Sequence, residues 1–173
     1  MFIKIIVMVQ DCECDLNLIR NDDLLDNRQA VVCFCKGGKH SIEILLSEIS
    51  NPKISEFDLQ SPFSSYYLLE KQMTGIFAAY IVELILSGKK IDDSFDLKYP
   101  VSFLKEDEYL YLVGMIFCKK NHQPIGHSRK KMREISKIYL DWWLVNKDKS
   151  LIELREQWSK GFRPLTGSEY YWR

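Results

Sequence analysis

The chain has 173 residues, of which 46% are hydrophobic and 28% are charged, and this composition predicts a single globular domain over residues 1–173. It excludes a disordered, collagen-like or disulfide-scaffold chain, and no uninterrupted run of about 18 apolar residues predicts a membrane span. The 24 basic and 24 acidic side chains cancel, which argues against binding to nucleic acids or membranes through bulk charge.

The first predicted element is a largely buried strand over residues 2–9, which are apolar and rich in β-branched side chains. No basic leader precedes this run and no small-residue cleavage site follows it, so we expect a cytoplasmic protein. Residues 11–29 are polar and predict a loop with at most a short helical turn. Residues 30–36 and 41–47 flank Gly37-Gly38, a pair that accepts the positive φ values of a tight turn, and they predict a β-hairpin.

Residues 66–86 form the strongest predicted helix, because apolar side chains recur there at three- and four-residue spacing and occupy most faces. Ser64 or Ser65 is placed to cap its start, and Gly88 is placed to end it. We expect this segment to be the central buried helix of the domain.

Two further strands are predicted over residues 95–104 and 108–118, of which the second is aromatic and β-branched. After a turn-rich stretch, Ser128 is a plausible N-cap for a helix with one aromatic and aliphatic stripe. This stripe and the aromatic tail are interpreted as core packing, since Trp and Tyr bury large areas.

A final short helix is predicted over residues 149–160, capped by Asp148 and ended by Gly161, followed by a tail that packs irregularly. The order of elements predicts an α+β fold. We expect an antiparallel sheet of about five strands, packed against the long central helix and the C-terminal helices.

Five cysteines in a chain without secretory features predict reduced thiols. Cys33, Cys35 and Cys118 are expected to fill the core as small apolar side chains. Cys12 and Cys14, like Cys33 and Cys35, are separated by one residue, whereas structural zinc sites favour two to four residues between paired ligands. The sequence therefore predicts neither a metal nor another cofactor.

No catalytic signature is present: the chain lacks a G-x-S-x-G elbow, a P-loop and a G-x-G-x-x-G motif. His122 and His127 enclose Pro124 and Gly126 instead of forming the H-E-x-x-H pattern of a hydrolytic zinc site. We expect a protein that is not an enzyme. A site built from these histidines and distant acids is the least supported alternative.

The two ends of the chain carry opposite charge. Residues 1–118 hold 11 basic and 18 acidic side chains, a net charge of −7, whereas residues 119–173 hold 13 and 6, a net charge of +7. Either the two ends are solvated or pack on each other, or one of them is a docking face for a partner of opposite sign. The densest acidic residues, called the acidic set below, are Asp11, Glu13, Asp15, Asp22, Asp23 and Asp26.

Basic residues concentrate in residues 119–133, called the basic segment below. Backbone amides at a helix start, together with Lys, Arg and His donors, suit phosphate, including that of RNA or DNA. The segment is therefore the candidate anion-binding site of an alternative function, a nucleic-acid-associated module. Its relevant residues are Lys119, Lys120, His122, His127, Arg129, Lys130, Lys131 and Arg133.

The chain resembles, in general character, the small immunity proteins encoded beside bacterial contact-dependent growth-inhibition and related polymorphic toxins. The features that carry this resemblance are the single compact domain, the missing catalytic signature, the acidic set and the long apolar helix in YYLLEKQMTGIFAAYIVELILSG. The resemblance has no motif, so no functional residue is carried over. It implies a cytoplasmic inhibitor that binds one cognate toxin domain tightly and blocks its active site. Because toxin nucleases are commonly basic, the acidic set is the predicted partner-binding surface.

Overall fold

The computed structural model describes residues 14, 16, 24–55, 59, 64, 71–91 and 108–173, with residues 24–27 described by their backbone. This part of the chain contains five helices and a three-stranded antiparallel sheet in the order β2-β1-β3. The helices are α1 (Leu24–Gly37), α2 (Lys39–Glu48), α3 (Thr74–Ser87), α4 (Arg129–Asn146) and α5 (Leu151–Ser159). The strands are β1 (Ile116–Cys118), β2 (Gln123–Pro124) and β3 (Tyr170–Trp172). The α+β class is confirmed, but the prediction of a sheet of about five strands is wrong.

Helix α3 is the centre of the domain. Its sequence, TGIFAAYIVELILS, is apolar on every face, and every residue except Ser87 is buried. It packs against α1, α2 and α5. The helix ends at Gly88, whose φ of 70° is the left-handed conformation that glycine adopts without strain. The prediction of a central buried helix is confirmed. Among the described helices, none is both long and apolar enough to cross a bilayer.

The predicted start of this helix is wrong, because α3 begins at Thr74 rather than near residue 66. Met73 occupies the N-cap and makes no side-chain cap, so neither Ser64 nor Ser65 caps α3. The backbone just before α3 instead pairs with the backbone of residues 54–55. Ser55 N donates to the Gln72 carbonyl at 2.7 Å, and Met73 forms a bridge with Ile54. Residues 65–70 lie outside the described residues.

The predicted β-hairpin at residues 30–47 is wrong, since the structure places two helices there. Gly38, with a φ of 57°, joins α1 to α2. The turn predicted at Gly37-Gly38 is therefore present, but it connects two helices rather than two strands. The predicted loop over residues 11–29 is also wrong from Leu24 onward, where α1 begins. Short apolar runs do not distinguish a helix from a strand, and burial against α3 decides here. The side chains buried from α1 and α2 include Ala30, Val31, Phe34, Ile42, Leu45 and Leu46.

A close approach of backbones ties α2 to α3. A Cβ added at Gly75 would lie 2.1 Å from the Ile49 carbonyl oxygen, so only glycine fits at this crossing. The Gly75 amide in turn donates to the Asn51 carbonyl at 3.1 Å. The start of α3 is therefore fixed by the turn that follows α2.

The sheet joins two distant parts of the chain. In register, Ile116 lies opposite Trp172 and Cys118 opposite Tyr170. The prediction of a strand over residues 108–118 is confirmed only for β1, because the described residues before it form turns and bends. The tail, predicted to be irregular, contributes β3. The predicted strands over residues 2–9 and 95–104 lie outside the described residues.

The two C-terminal helices follow their local capping signals. Helix α4 begins after Ser128, whose side chain accepts from the Lys131 amide, as predicted. Helix α5 is capped by Ser150 and not by Asp148, because Ser150 and Glu153 form a reciprocal capping box. The predicted cap was therefore two residues too early.

One disulfide corrects the prediction of reduced thiols, since Cys14 is bonded to Cys33. Cys33 is therefore not a free core side chain. Cys35 and Cys118 are free and half-buried. Burial raises the pKa of the Cys35 thiol to about 12, which keeps it protonated and unreactive at neutral pH. Cys12 lies outside the described residues.

Candidate functional site

The most unusual residue of the core is Glu83, the only charged residue of α3, which is fully buried. A buried carboxyl group is stable only when donors surround it. Three donors do so here. Tyr139 donates to Oε1 at 2.8 Å, while Tyr111 and Trp158 Nε1 donate to Oε2 at 3.2 Å and 2.5 Å. These four residues, with Trp172, are called the Glu83 network below.

Trp172 joins the network through both its edge and its face. Its Nε1 donates to the Tyr139 hydroxyl at 2.9 Å. Its ring stacks on that of Tyr111, with centroids 5.1 Å apart and planes 5° apart. The ring of Tyr80 meets both of these rings edge-on, and its hydroxyl accepts from the Leu110 amide. The aromatic rings are therefore held in fixed positions.

Burial raises the pKa values of the groups in this network. It raises the pKa of Glu83 above its usual value of 4.5, against the opposing effect of the three donors and of Arg163. Burial and the neighbouring Glu83 also raise the pKa of the Tyr111 and Tyr139 hydroxyls. Both hydroxyls remain protonated and act as donors at physiological pH.

A cleft of about 300 Å³ lies against the network, called the aromatic cleft below. Two cations contribute to its lining. Lys119 Nζ donates to the Ser168 carbonyl at 2.6 Å, and the Arg163 guanidinium lies 4.0 Å from the centre of the Trp158 ring. The lining residues are Glu83, Tyr111, Lys119, Arg163, Leu165, Thr166, Gly167, Tyr170, Tyr171 and Trp172.

The basic segment begins at the edge of this cleft. Lys119 belongs to both, and His122 Nδ1 lies 3.3 Å from the hydroxyl of the cleft residue Tyr171. His122 occupies the tight turn between β1 and β2 with a φ of 54°. His127 donates to the Lys71 carbonyl. The histidines thus contact a hydroxyl and a backbone carbonyl rather than a carboxylate.

The cations of the basic segment face solvent. All are exposed except Lys131, which is half-buried. Between described residues the ion pairs are Arg28–Glu108 and Lys137–Asp141, so no described carboxylate pairs with this segment. Its positive charge is therefore not neutralised by the described part of the fold. The residues concerned are Lys119, Lys120, Arg129, Lys130, Lys131 and Arg133.

The acidic set lies almost wholly outside the described residues. Asp11, Glu13, Asp15, Asp22 and Asp23 lie outside the described residues. Asp26 lies in α1, but its side chain is outside the description. The acidic docking surface stays a prediction.

Exposed apolar side chains concentrate on α4, α5 and the turn after α5. They are 46–79% exposed, in contrast to the buried face of the same helices. Leu140 and Leu144 are four residues apart and therefore lie on one face of α4, and contiguous apolar surface is typical of contacts with other proteins. The residues are Leu140, Leu144, Val145, Ile152 and Phe162.

Sequence reasoning missed Glu83, Tyr111 and Arg163. A signal existed for Glu83, because a single carboxylate within an otherwise apolar helix must be buried with its donors. Nothing local indicated Tyr111 or Arg163, whose roles come from contacts with distant residues. Across the described ranges, no cluster of three or more His, Cys, Asp or Glu side chains is placed to hold a metal ion.

Comparisons with protein families, curated proteins and solved structures found no match to this chain.

Proposed function

We propose that this chain is a non-enzymatic binding protein, an immunity protein that neutralises a cognate bacterial toxin domain by electrostatically complementary docking. The observation that carries the proposal is the separation of charge along the chain, a net charge of −7 over residues 1–118 and of +7 over residues 119–173. The six Lys and Arg side chains of the basic segment have no carboxylate partner among the described residues, although the whole chain has a net charge of zero. Separated charge of this kind directs the encounter with a partner.

A protein partner is favoured by the exposed apolar side chains of α4 and α5. Leu144, Val145 and Ile152 are 56–79% exposed, on the last turn of α4 and the first turn of α5, C-terminal to the basic segment. Interfaces between proteins combine an apolar centre with a polar and charged rim. Nucleic acid would use the cations but not these aliphatic groups.

The chemistry of the buried groups also supports binding over catalysis. The Glu83 carboxyl accepts from three donors, and each of these donors is itself fixed by packing. The Cys35 thiol has a pKa of about 12 and is a poor nucleophile. Both groups serve the fold.

The contact with the toxin is assigned to the acidic set. A basic toxin domain would be attracted to the six carboxylates that the sequence concentrates in residues 11–26, and occupation of its substrate site by them would inhibit it. The basic segment, at the other end of the sequence, then provides complementary contact to acidic parts of the same partner.

The decisive experiment is to mix the protein with the product of the neighbouring open reading frame and to measure the complex by gel filtration. Coexpression should also restore growth of cells that produce the toxin. Reversal of charge in Asp22→Lys/Asp23→Lys should slow association at least tenfold at low salt. Glu43→Lys/Glu156→Lys is the matched control, since it changes the net charge equally at two exposed positions. Absence of a complex would remove the proposal.

A nucleic-acid-associated module is the second candidate, favoured by the exposure of the basic segment at the start of α4. Lys130→Glu/Lys131→Glu should then abolish binding to single-stranded RNA or DNA, and affinity should fall steeply with salt. Lys147→Glu/Lys160→Glu, with both lysines exposed elsewhere, is the control. Binding curves that stay flat at low salt would exclude this function.

Cytoplasmic location belongs to the same proposal, and the Cys14–Cys33 disulfide is the observation that tests it. The cytosol keeps most cysteines reduced, whereas disulfides persist in oxidising compartments. Alkylation of thiols in intact cells should label both cysteines if the protein is cytoplasmic. Protection of both from alkylation would place the protein in an oxidising compartment instead.

A further inference from the structure

We propose that the aromatic cleft is a binding site for a small aromatic anion, a planar ring that carries one carboxylate or phosphate group. The site goes beyond toxin neutralisation and does not depend on it. Three features of the cleft carry the inference: a flat wall, a positive lining and a fixed shape.

The wall is formed by the stacked rings of Tyr111 and Trp172, which are half-buried beside the cleft. Tyr170 and Tyr171 add two further aromatic side chains to the lining. Flat rings favour flat ligands, because stacking adds to the gain from apolar burial. A planar ring is therefore the group that this wall recognises.

The charge of the lining selects an anion. Lys119 and Arg163 both line the cleft, and Glu83 is the single acidic residue among the ten that do. The Glu83 carboxyl is fully buried and already accepts from three donors, whereas Lys119 is exposed. The guanidinium of Arg163 is a planar fork that suits carboxylate or phosphate.

The cleft is formed before any ligand enters. Trp172 is fixed by its hydrogen bond to the Tyr139 hydroxyl, and Tyr111 is fixed by its hydrogen bond to the Glu83 carboxyl. Arg163 is held over the Trp158 ring, and its amide donates to Thr166 Oγ1 at 2.9 Å. A site of this kind binds without the free-energy loss of ordering its side chains.

The size of the cleft limits the ligand. Its volume of about 300 Å³ is at the lower end of the range for ligand sites, which is roughly 300–1,000 Å³. One ring system with one charged group fits this volume. A long polymer of nucleotides does not, so the site differs from the nucleic-acid surface considered above.

Calorimetric titration with matched probes tests the proposal. 2-Naphthoate carries the ring and the charge, 2-naphthamide the ring alone, and cyclohexanecarboxylate the charge alone; adenosine monophosphate and adenosine form the phosphate pair. We expect naphthoate or the monophosphate to bind at least tenfold more tightly than its uncharged counterpart, and naphthoate at least tenfold more tightly than cyclohexanecarboxylate. The tighter anion identifies the carboxylate or the phosphate as the preferred group. If neither anion exceeds its neutral counterpart, the proposal is overturned.

Two pairs of variants locate the binding. Lys119→Met should weaken the affinity at least tenfold, whereas Lys120→Met, the exposed neighbour outside the lining, should change it less than twofold. Arg163→Met and Lys160→Met form the second pair. Because Lys119 is exposed, its variant keeps the test valid even if Arg163→Met fails to fold. Equal losses in Lys119→Met and Lys120→Met would show general charge attraction and overturn the proposal.

Discussion

Replacement of Tyr139 by phenylalanine measures how much the Glu83 network stabilises the fold. The Tyr139 hydroxyl is fully buried, donates to Glu83 at 2.8 Å and accepts from Trp172 Nε1 at 2.9 Å. Loss of its oxygen removes one hydrogen bond from the fully buried Glu83 carboxyl and one from the half-buried Trp172 indole. A buried polar group that loses its hydrogen bond costs about 1–3 kcal/mol, and a partly exposed group costs less because water can replace the lost partner. We therefore expect Tyr139→Phe to lower the free energy of unfolding by about 2 kcal/mol.

Urea denaturation followed by far-UV circular dichroism is the measurement, because it does not rely on the fluorescence of a perturbed Trp172. The matched control is Tyr171→Phe, whose half-buried hydroxyl lies 3.3 Å from the exposed His122. This change should cost less than about 0.5 kcal/mol. The slope of the free energy of unfolding against urea concentration should be the same in both variants as in the wild type. An equal effect of the two substitutions would refute the structural role of the network.

Three further outcomes are expected from the same denaturation assay. Glu108→Gln removes the charge that pairs with Arg28 at 2.8 Å and should cost about 3–5 kcal/mol, whereas the joint change Arg28→Met/Glu108→Met should recover most of this loss. Reduction of the Cys14–Cys33 disulfide, which links residues 19 apart, should cost about 3 kcal/mol, and Cys33→Ser should be insensitive to reductant. Because the folded-state pKa of Glu83 lies above 4.5, its contribution to stability is present below that pH and is lost as the pH rises through the raised pKa. The free energy of unfolding of Glu83→Gln should therefore fall less than that of the wild type as the pH rises from about 4.5 toward neutrality.

The helix ends that the sequence predicts correctly are set by residues at the helix terminus itself. Ser128 caps α4 through its own side chain, and Gly88 ends α3 with a positive φ. Both signals act on adjacent backbone groups, so no distant contact is needed to interpret them. The burial of α3 was predictable for the same reason, because its residues are apolar on all faces.

The candidate site was only partly predictable. Lys119 was recognised through its basic neighbours, whereas the cleft that it lines also needs Glu83, Tyr111 and Arg163. These four residues span 81 positions of the sequence, from residue 83 to residue 163, and no spacing rule connects them. Only the packing of α3, α4 and α5 with the tail brings them together.

The sequence by itself determined the α+β class, the apolar central helix and the capped start of α4, since composition, periodicity and caps are local properties of the chain. The tertiary structure alone decided that residues 30–47 form helices, that the tail supplies β3 and that Cys14 is bonded to Cys33. A short apolar run can fold either as a helix or as a strand, and its choice depends on the surface that buries it. For residues 30–47 that surface is α3.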